Sequence, residues 1–391
     1  MKSKILLALF IFTLSLSGCI TEYHAILSKS TKILFVDGSI IENTEAVFYI
    51  TQSFALNVVG VPDEAFVNDA VLQIIDSDGN KSEPATSLGR GRYQIRIGEL
   101  DSDVRYGIRI EHDGSIFESA LSRPLVTSEI DSISWRQNAN GTVSIHVSTH
   151  DETGSVQFFM WNYVEDWEIR AVAPTAVFFN PQNSQFYTDW SFPFEYCWKR
   201  HVSDRILIGS TESLSASRLI NHQIYEHSVE DNRFSQRYSV FVTQRAISRG
   251  AYEFFQNLRR QNEDMGGIFT PQPTEVLGNI RSMTNPERRV LGYVGVSKNI
   301  SQKRLFLDSE QLDRTVHASC DFIFDVDGNP RFPRTPAERT QRYQQGYRPS
   351  RMDMDFYPTI VVMEWALKHC TDCREMGGTT ERPDFWTIHH P

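Results

Sequence analysis

The sequence predicts a mostly β protein made of two consecutive β-sandwich domains, the second with an inserted helix and a long irregular C-terminal segment. Apolar and polar residues alternate with a period of two in many short runs, as in RYQIRIG, where Tyr93, Ile95 and Ile97 share one face. Asp-Gly and Asn-Gly pairs, which suit the tight turns of β-hairpins, separate several runs. Hydrophobic residues make up 40% of 391 positions, enough to fill a core in each domain.

Residues 1–18 predict the signal peptide of a lipoprotein. Two lysines precede an apolar run, Ile5 to Phe12, that is too short to span a membrane. The sequence Leu-Ser-Gly-Cys that ends at Cys19 resembles the lipobox of bacterial lipoproteins, so we expect Cys19 to carry the lipid anchor. An ordinary secretory signal that ends near a cysteine is the alternative. Residues 19–31 then form a tether between the anchor and the first domain.

The first sandwich, of the immunoglobulin-like or transthyretin-like kind, is predicted over residues 32–127. Its strands are expected in the runs KILFVDGSII, AVFYITQSFAL, FVNDAVLQIIDSDGN, RYQIRIG and RYGIRIEHDGSIFES. The sequence Asp-x-Asp-Gly-Asn occurs at Asp76–Asn80 and again at Asp325–Asn329, and it resembles a fragment of a calcium loop. Neither copy supplies the bidentate Glu that closes such a loop, so we interpret both as tight turns.

The larger second domain is predicted over residues 128–391. Its expected strands include IDSISWRQ, FFMWNYVEDWEIRA, RYSVFVTQRAI and KRLFLD. One segment breaks the β pattern: apolar residues recur at helical spacing in RGAYEFFQNLRRQNE, which predicts a helix near 249–263 with Ser248 as its N-cap. A helix inserted between strands is expected to cover a sheet edge or one end of a sandwich. From Asp325 onward the chain is polar and rich in Pro and Arg, which predicts irregular structure.

Aromatic residues concentrate in one window of the second domain. Trp161 and Trp167 lie there, and Phe269 lies in the Pro-containing stretch after the helix. Exposed aromatic side chains bind ligands and partner proteins through large, rigid contact areas, so these three residues form a candidate ligand or partner surface. Filling of the sandwich core is the alternative role for each of them.

Four cysteines remain once Cys19 is assigned to the lipid: Cys197, Cys320, Cys370 and Cys373. An even number in an oxidising compartment favours structural disulfides, with three complete pairings open. A bridge from Cys320 to one member of the terminal Cys-x-x-Cys would close a loop of about fifty residues. The alternatives are a zinc site that also uses His369 and a redox-active Cys-x-x-Cys.

The sequence contains none of the common catalytic or phosphate-binding motifs, so no catalytic residue, metal or cofactor is assigned. Carboxylates and histidines such as Glu165, Asp166 and His201 could form a site in the fold, but their spacing alone does not bring them together. The formal charge of −10 argues against nucleic-acid binding.

Several separated motifs occur in a characteristic order. After Cys19 come MWNYVEDWE, the Cys197-Trp198 pair, IGSTESLS, RYSVFVTQRAISRGAYEFFQNLRRQNEDMGGIFTPQPTEVLGNI, VLGYVGVSKNISQKRLFL and the closing CTDCREMGGTTERPDFW. In these motifs the chain resembles the Bacteroidota lipoproteins of domain-of-unknown-function family 4249. The resemblance implies an outer-membrane lipoprotein, on the periplasmic or the cell-surface side, often encoded beside a TonB-dependent receptor. It defines no catalytic residues.

These observations give one leading functional hypothesis and two alternatives. We expect a lipid-anchored, non-enzymatic binding or accessory protein that partners a TonB-dependent outer-membrane receptor in nutrient capture or uptake. The first alternative is a cell-envelope hydrolase with its site in the second domain. The second is a structural or adhesive surface protein.

Overall fold

The first unit of the structure consists of two main sheets, and a two-stranded pair of β2 and β20, around one apolar core. The computed structural model describes residues 32–54, 60–190, 195–263, 278–315, 320, 333, 335–353 and 361–387. Numbered in chain order, the strands of this unit are β1 (Leu34–Asp37), β2 (Ser39–Ile41), β3 (Glu45–Gln52), β4 (Val71–Asp76), β5 (Thr86–Gly89), β6 (Arg92–Arg96), β7 (Tyr106–His112), β8 (Ser115–Ser119), β18 (Ile280–Ser282), β19 (Val290–Leu291) and β20 (Gly295–Ser297). One sheet has the order β19-β1-β3-β6-β5 and the other β18-β8-β7-β4. Phe48 from the first sheet and Phe117 from the second are fully buried in the shared core.

Three strands of this unit come from late in the chain. β19 pairs in parallel with β1, β20 pairs in parallel with β2, and β18 pairs antiparallel with β8. Their residues Ile280, Val290 and Val296 are buried in the first core. The first unit therefore contains residues 280–297 in addition to strands from the range 32–127. Such short strands, paired with distant partners, carry no local turn signal that a sequence pattern reveals.

The second unit is also a sandwich. Its strands are β9 (Ile130–Gln137), β10 (Thr142–His150), β11 (Phe158–Arg170), β14 (Tyr196–Val202), β15 (Leu207–Ser210), β16 (Arg218–Ser228), β17 (Arg237–Ala246) and β21 (Ser301–Asp308). The sheet β16-β10-β9 faces the sheet β14-β11-β17-β21, in which β15 also pairs with β11. Ile145 from the first of these sheets and Phe159 and Val240 from the second are among the core residues. The predicted fold class, mostly β with two sandwich domains, is confirmed, but the two are not strictly consecutive because residues 280–297 belong to the first.

The predicted helix is present as α1 (Arg249–Glu263). The Ser248 hydroxyl oxygen accepts a hydrogen bond from the backbone N–H of Ala251 at 3.2 Å, which confirms the predicted N-cap. Ala251 packs with Phe158 and Met160 of β11, and Tyr293, just after β19, packs against the same cluster. Helix α1 therefore lies where the two units meet.

The described part of the C-terminal segment is more regular than the sequence indicates. It contains α2 (Pro336–Gln344), the hairpin of β22 (Tyr347–Asp353) and β23 (Val361–Leu367), and the short α3 (Lys368–Thr371). A second hairpin, β12 (Val177–Asn180) and β13 (Gln185–Thr188), packs beside it, with the Phe179 ring 5.6 Å from that of Trp365. Helix α2 begins with a capping box between Thr335 and Glu338, a signal that the overall polarity of the segment obscured.

Short 3₁₀ helices span Asp63–Ala65, Asn232–Phe234, Ser309–Gln311 and Cys373–Met376. The first Asp-x-Asp-Gly-Asn sequence forms the predicted tight turn, because Asp76 Oδ1 accepts hydrogen bonds from the backbone N–H groups of Asp78 and Asn80 at 3.0 and 2.8 Å. The second copy lies outside the described residues.

Candidate ligand-binding groove

An apolar groove lies between the outer face of the first sheet and helix α1. In β1 and β3, Leu34, Val36 and Ile50 point into the first core. The pleat therefore turns Phe35 and its partner Thr51 to the opposite face, and with them Asp37 and its partner Tyr49. This face forms the floor of the groove, and both Phe35 and Tyr49 remain more than one-third exposed.

The walls of the groove come from α1 and from the chain around β19. Phe254, Phe255 and Leu258 of α1 form one side, and Leu291 and Tyr293 close one end. The groove encloses about 510 Å³, within the range of small-molecule sites in proteins. Asp37, Gln261 and Arg289 add polar groups to a lining that is otherwise mainly apolar, which suits a small and mainly apolar molecule.

Gly292 allows the end wall to approach the floor. Its φ is +150°, and a Cβ placed there would lie 2.1 Å from the backbone carbonyl oxygen of Val36. No side chain fits at that distance, so only glycine lets this part of the chain lie directly on β1. The glycine thus helps set the shape of the groove.

The prediction that Trp161 and Trp167 form part of a ligand or partner surface is wrong, because both side chains are buried. They share the core-facing side of β11 and belong to the core of the second unit. Trp161 is fully buried, and its indole N–H donates to Gln244 Oε1 at 2.7 Å. The alternative of core filling is the correct one for these two residues. Phe269 and Cys19 lie outside the described residues.

The cysteines form two disulfides, Cys197–Cys373 and Cys320–Cys370. The two members of the terminal Cys-x-x-Cys are each bonded to a distant cysteine. This confirms the prediction of structural disulfides rather than a redox-active pair. All four sulfurs are used in these bonds. In the part of the chain that the structure describes, no group of three or more His, Cys, Asp and Glu side chains is arranged to hold a metal ion.

The sequence spacing of Glu165 and His201 did not bring them together, but in the structure their side chains are in contact in the second sandwich. Glu165 is completely buried, and its carboxylate is contacted by four groups: His227 Nε2 at 2.9 Å, Tyr238 Oη at 2.6 Å, His201 Nδ1 at 3.1 Å and Arg233 Nη1 at 2.9 Å. Asp166 points to the other face of β11, where Arg200 Nε donates to it at 2.6 Å. Sequence reasoning named three of these residues but could not supply the strand register that joins them.

The environment of Glu165 keeps its carboxylate ionised. Burial alone would raise its pKa, but hydrogen bonds from His227 and Tyr238 and the positive charge of Arg233 outweigh burial and lower the pKa below its ordinary value. Four contacts match the acceptor capacity of a carboxylate, so both oxygens are engaged. This cluster lies in the core and does not line the groove.

Sequence reasoning missed the groove residues, although one signal for them exists. In the run KILFVD, Ile33 and Phe35 are apolar on one face of the strand, and Leu34 and Val36 are apolar on the other. Apolar residues on both faces indicate a strand covered on both sides. They do not reveal that α1 covers the outer face only in part.

Together the fold and the groove define a β-sandwich protein with a candidate site for a small molecule. A model of the family described as a domain of unknown function, DUF4249, matches residues 20–303, and the chain belongs to this family. The predicted membership is confirmed, and the matched range contains every residue of the groove. A search of curated proteins found no match. Among the described residues, no helix is both long enough and apolar enough to cross a membrane.

Proposed function

We propose that this protein is a lipid-anchored binding protein of the outer membrane that captures a small, mainly apolar molecule and acts beside a TonB-dependent transporter. The observation that carries the proposal is the groove between the first sheet and α1. Its size, its aromatic walls and its few polar groups are those of a binding site.

The anchor follows from the sequence. Cys19 stands at the end of a lipobox-like motif, and the predicted tether, residues 19–31, lies outside the described residues and precedes β1 in the sequence. Acyl chains on Cys19 would hold the protein at a membrane surface. The transporter partner rests on the resemblance of the separated motifs.

Capture in the groove is tested with the dye 1-anilinonaphthalene-8-sulfonate, whose fluorescence rises in apolar sites. Tyr49→Ala and Tyr187→Ala form a matched pair, since the two tyrosines are 49% and 51% exposed and both lie in strands. Because only Tyr49 lines the groove, Tyr49→Ala should weaken dye binding roughly tenfold, the effect of losing one well-packed aromatic contact. Tyr187→Ala should leave it unchanged. Equal binding by both variants would contradict a groove site.

The partnership is tested by purification of the tagged, lipidated protein from its native membrane in mild detergent, with mass spectrometry of what accompanies it. A TonB-dependent transporter in stoichiometric amount is the expected result. Cys19→Ser, which removes the anchor, provides the control for capture after lysis. Recovery of the lipoprotein alone, from a preparation that keeps other membrane complexes intact, would refute the accessory role and leave the groove result standing on its own.

A further inference from the structure

The groove between the first sheet and α1 carries opposite charges at its two ends. Its floor follows β1, and Ile33, Phe35 and Asp37 line it in that order. The backbone N–H of Leu34 donates to the carbonyl oxygen of Arg289 at 3.1 Å, so Arg289 lies beside the Ile33 end of this row. The side chains of Arg289 and Asp37 both line the groove, and both residues are exposed. A cation therefore stands at one end of the groove and an anion at the other.

The strand geometry sets the distance between the two charges. Asp37 follows Ile33, the neighbour of Arg289, by four positions along β1. A strand rises about 3.3 Å per residue, so the charged ends of the groove lie roughly 13 Å apart. An extended peptide advances at most about 3.3–3.6 Å per residue, so a peptide of about three or four residues spans that distance.

The middle of the groove suits the side chains and the backbone of such a peptide. Phe35 in the floor and Phe254 and Leu258 in the helix wall offer apolar surface to apolar side chains. The hydroxyl groups of Tyr49 and Thr51 also line the groove, and within the described structure neither hydroxyl forms a hydrogen bond. Each hydroxyl can donate and accept, so the pair can serve the N–H and C=O groups of a peptide backbone.

The Asp37 carboxylate is accessible to a ligand. Among the described residues it forms no ion pair and no side-chain hydrogen bond. Burial lowers the pKa of Arg245, and the nearby charge of Asp37 opposes this effect. The Arg245 guanidinium nevertheless donates to Ser39 Oγ and Met160 Sδ rather than to Asp37. A ligand ammonium group can therefore pair with Asp37, as a ligand carboxylate can with the guanidinium of Arg289.

We propose that the groove binds an apolar oligopeptide of about three or four residues, with its amino terminus at Asp37 and its carboxyl terminus at Arg289. This assignment rests on the capture function proposed above and adds the chemical class of the captured molecule. Charge at both ends distinguishes the oligopeptide from a fatty acid, whose single carboxylate would engage Arg289 alone.

The test measures displacement of 1-anilinonaphthalene-8-sulfonate from the mature chain with both disulfides formed. The competitors are the tetrapeptide Ala-Leu-Phe-Val, the same peptide with an acetylated amino terminus and an amidated carboxyl terminus, and decanoate. We expect the free peptide to bind roughly fivefold or more tightly than the blocked peptide, because only the free peptide forms an ion pair at each end. Equal binding by the two peptides, or displacement by decanoate and by neither peptide, would overturn the oligopeptide assignment.

Failure of this assignment is distinguishable from failure of the capture function. If Tyr49→Ala weakens dye binding and Tyr187→Ala does not, the groove is a binding site, and a free peptide that leaves the dye in place would overturn the oligopeptide alone. Equal dye binding by those two variants would overturn the capture function and the oligopeptide with it.

Variants then assign each peptide terminus to one end of the groove. Arg289→Gln should weaken binding of the free peptide roughly threefold and leave a peptide amidated at its carboxyl terminus unaffected. Asp37→Asn should act in the same way on the free peptide and spare a peptide acetylated at its amino terminus. Arg281→Gln and Asp103→Asn, at exposed residues outside the groove, are the matched controls and should change neither affinity. If Asp37→Asn does not fold, Arg289→Gln decides alone, and an equal loss for the free and amidated peptides would overturn the assignment of the carboxyl terminus.

Discussion

At the scale of single residues, Glu165 illustrates how the second sandwich tolerates charge in its core. The carboxylate lies among Tyr238, His227, His201 and Arg233, so its charge is compensated on every side. A buried ion of this kind stabilises the fold only while its partners are present. The cluster thus explains why a strand as aromatic as β11 also carries a carboxylate on its core face.

We predict that Glu165→Gln destabilises the fold by about 1–3 kcal/mol at neutral pH, because it removes one of the two carboxylates that pair with Arg233 and leaves buried donors without their charged acceptor. The effect should depend on pH. The pKa of Glu165 is lowered in the folded state, so its carboxylate contributes stability above the unfolded-state pKa and loses that contribution as pH falls through the folded-state pKa. The difference between wild type and variant should therefore shrink in acid.

Urea unfolding at a series of pH values measures this difference. Glu152→Gln, at a glutamate whose side chain is 89% exposed, serves as the control and should change stability by no more than about 0.5 kcal/mol. A difference between wild type and Glu165→Gln that stays constant from neutral to acidic pH would show that ionisation of Glu165 does not stabilise the fold.

At the scale of elements, local patterns predicted much of the fold. Helix α1 occupies the range 249–263 that its spacing and Ser248 indicated, and the turn at Asp76–Asn80 has the geometry its residues favour. Elements that depend on distant pairing were not predictable. Strand β19 is only two residues long, and it exists because Leu34 and Val290 happen to be brought into register from opposite ends of the matched range. The groove depends on that pairing, so it was not predictable either.

We predict that Gly292→Ala destabilises the protein by about 1–3 kcal/mol, because the residue adopts a conformation that side chains disfavour and a Cβ would contact the Val36 carbonyl. The strain should displace β19 and also weaken dye binding in the groove. Gly295→Ala is the matched control, since a Cβ at Gly295 meets no atom within 4 Å. Thermal unfolding and dye titration of both variants provide the measurement. Equal unfolding temperatures and equal dye affinities would show that neither β19 nor the groove requires glycine at position 292.

At the scale of the whole molecule, the fold has two prominent junctions. The groove forms at the first, where α1 of the second unit meets the first sheet, and at the second the C-terminal segment lies along β14. Each junction joins parts of the chain that are distant in sequence. The disulfide Cys197–Cys373 is the covalent link at the second junction.

We predict that the double variant Cys197→Ser, Cys373→Ser lowers the free energy of unfolding by roughly 5 kcal/mol, since the bond closes a loop with a sequence separation of 176 residues. Loss of Cys320–Cys370, with a separation of 50, should cost about 4 kcal/mol. Chemical denaturation with and without a reductant measures both losses. Wild-type stability that reduction leaves unchanged would show that the disulfides do not stabilise the fold.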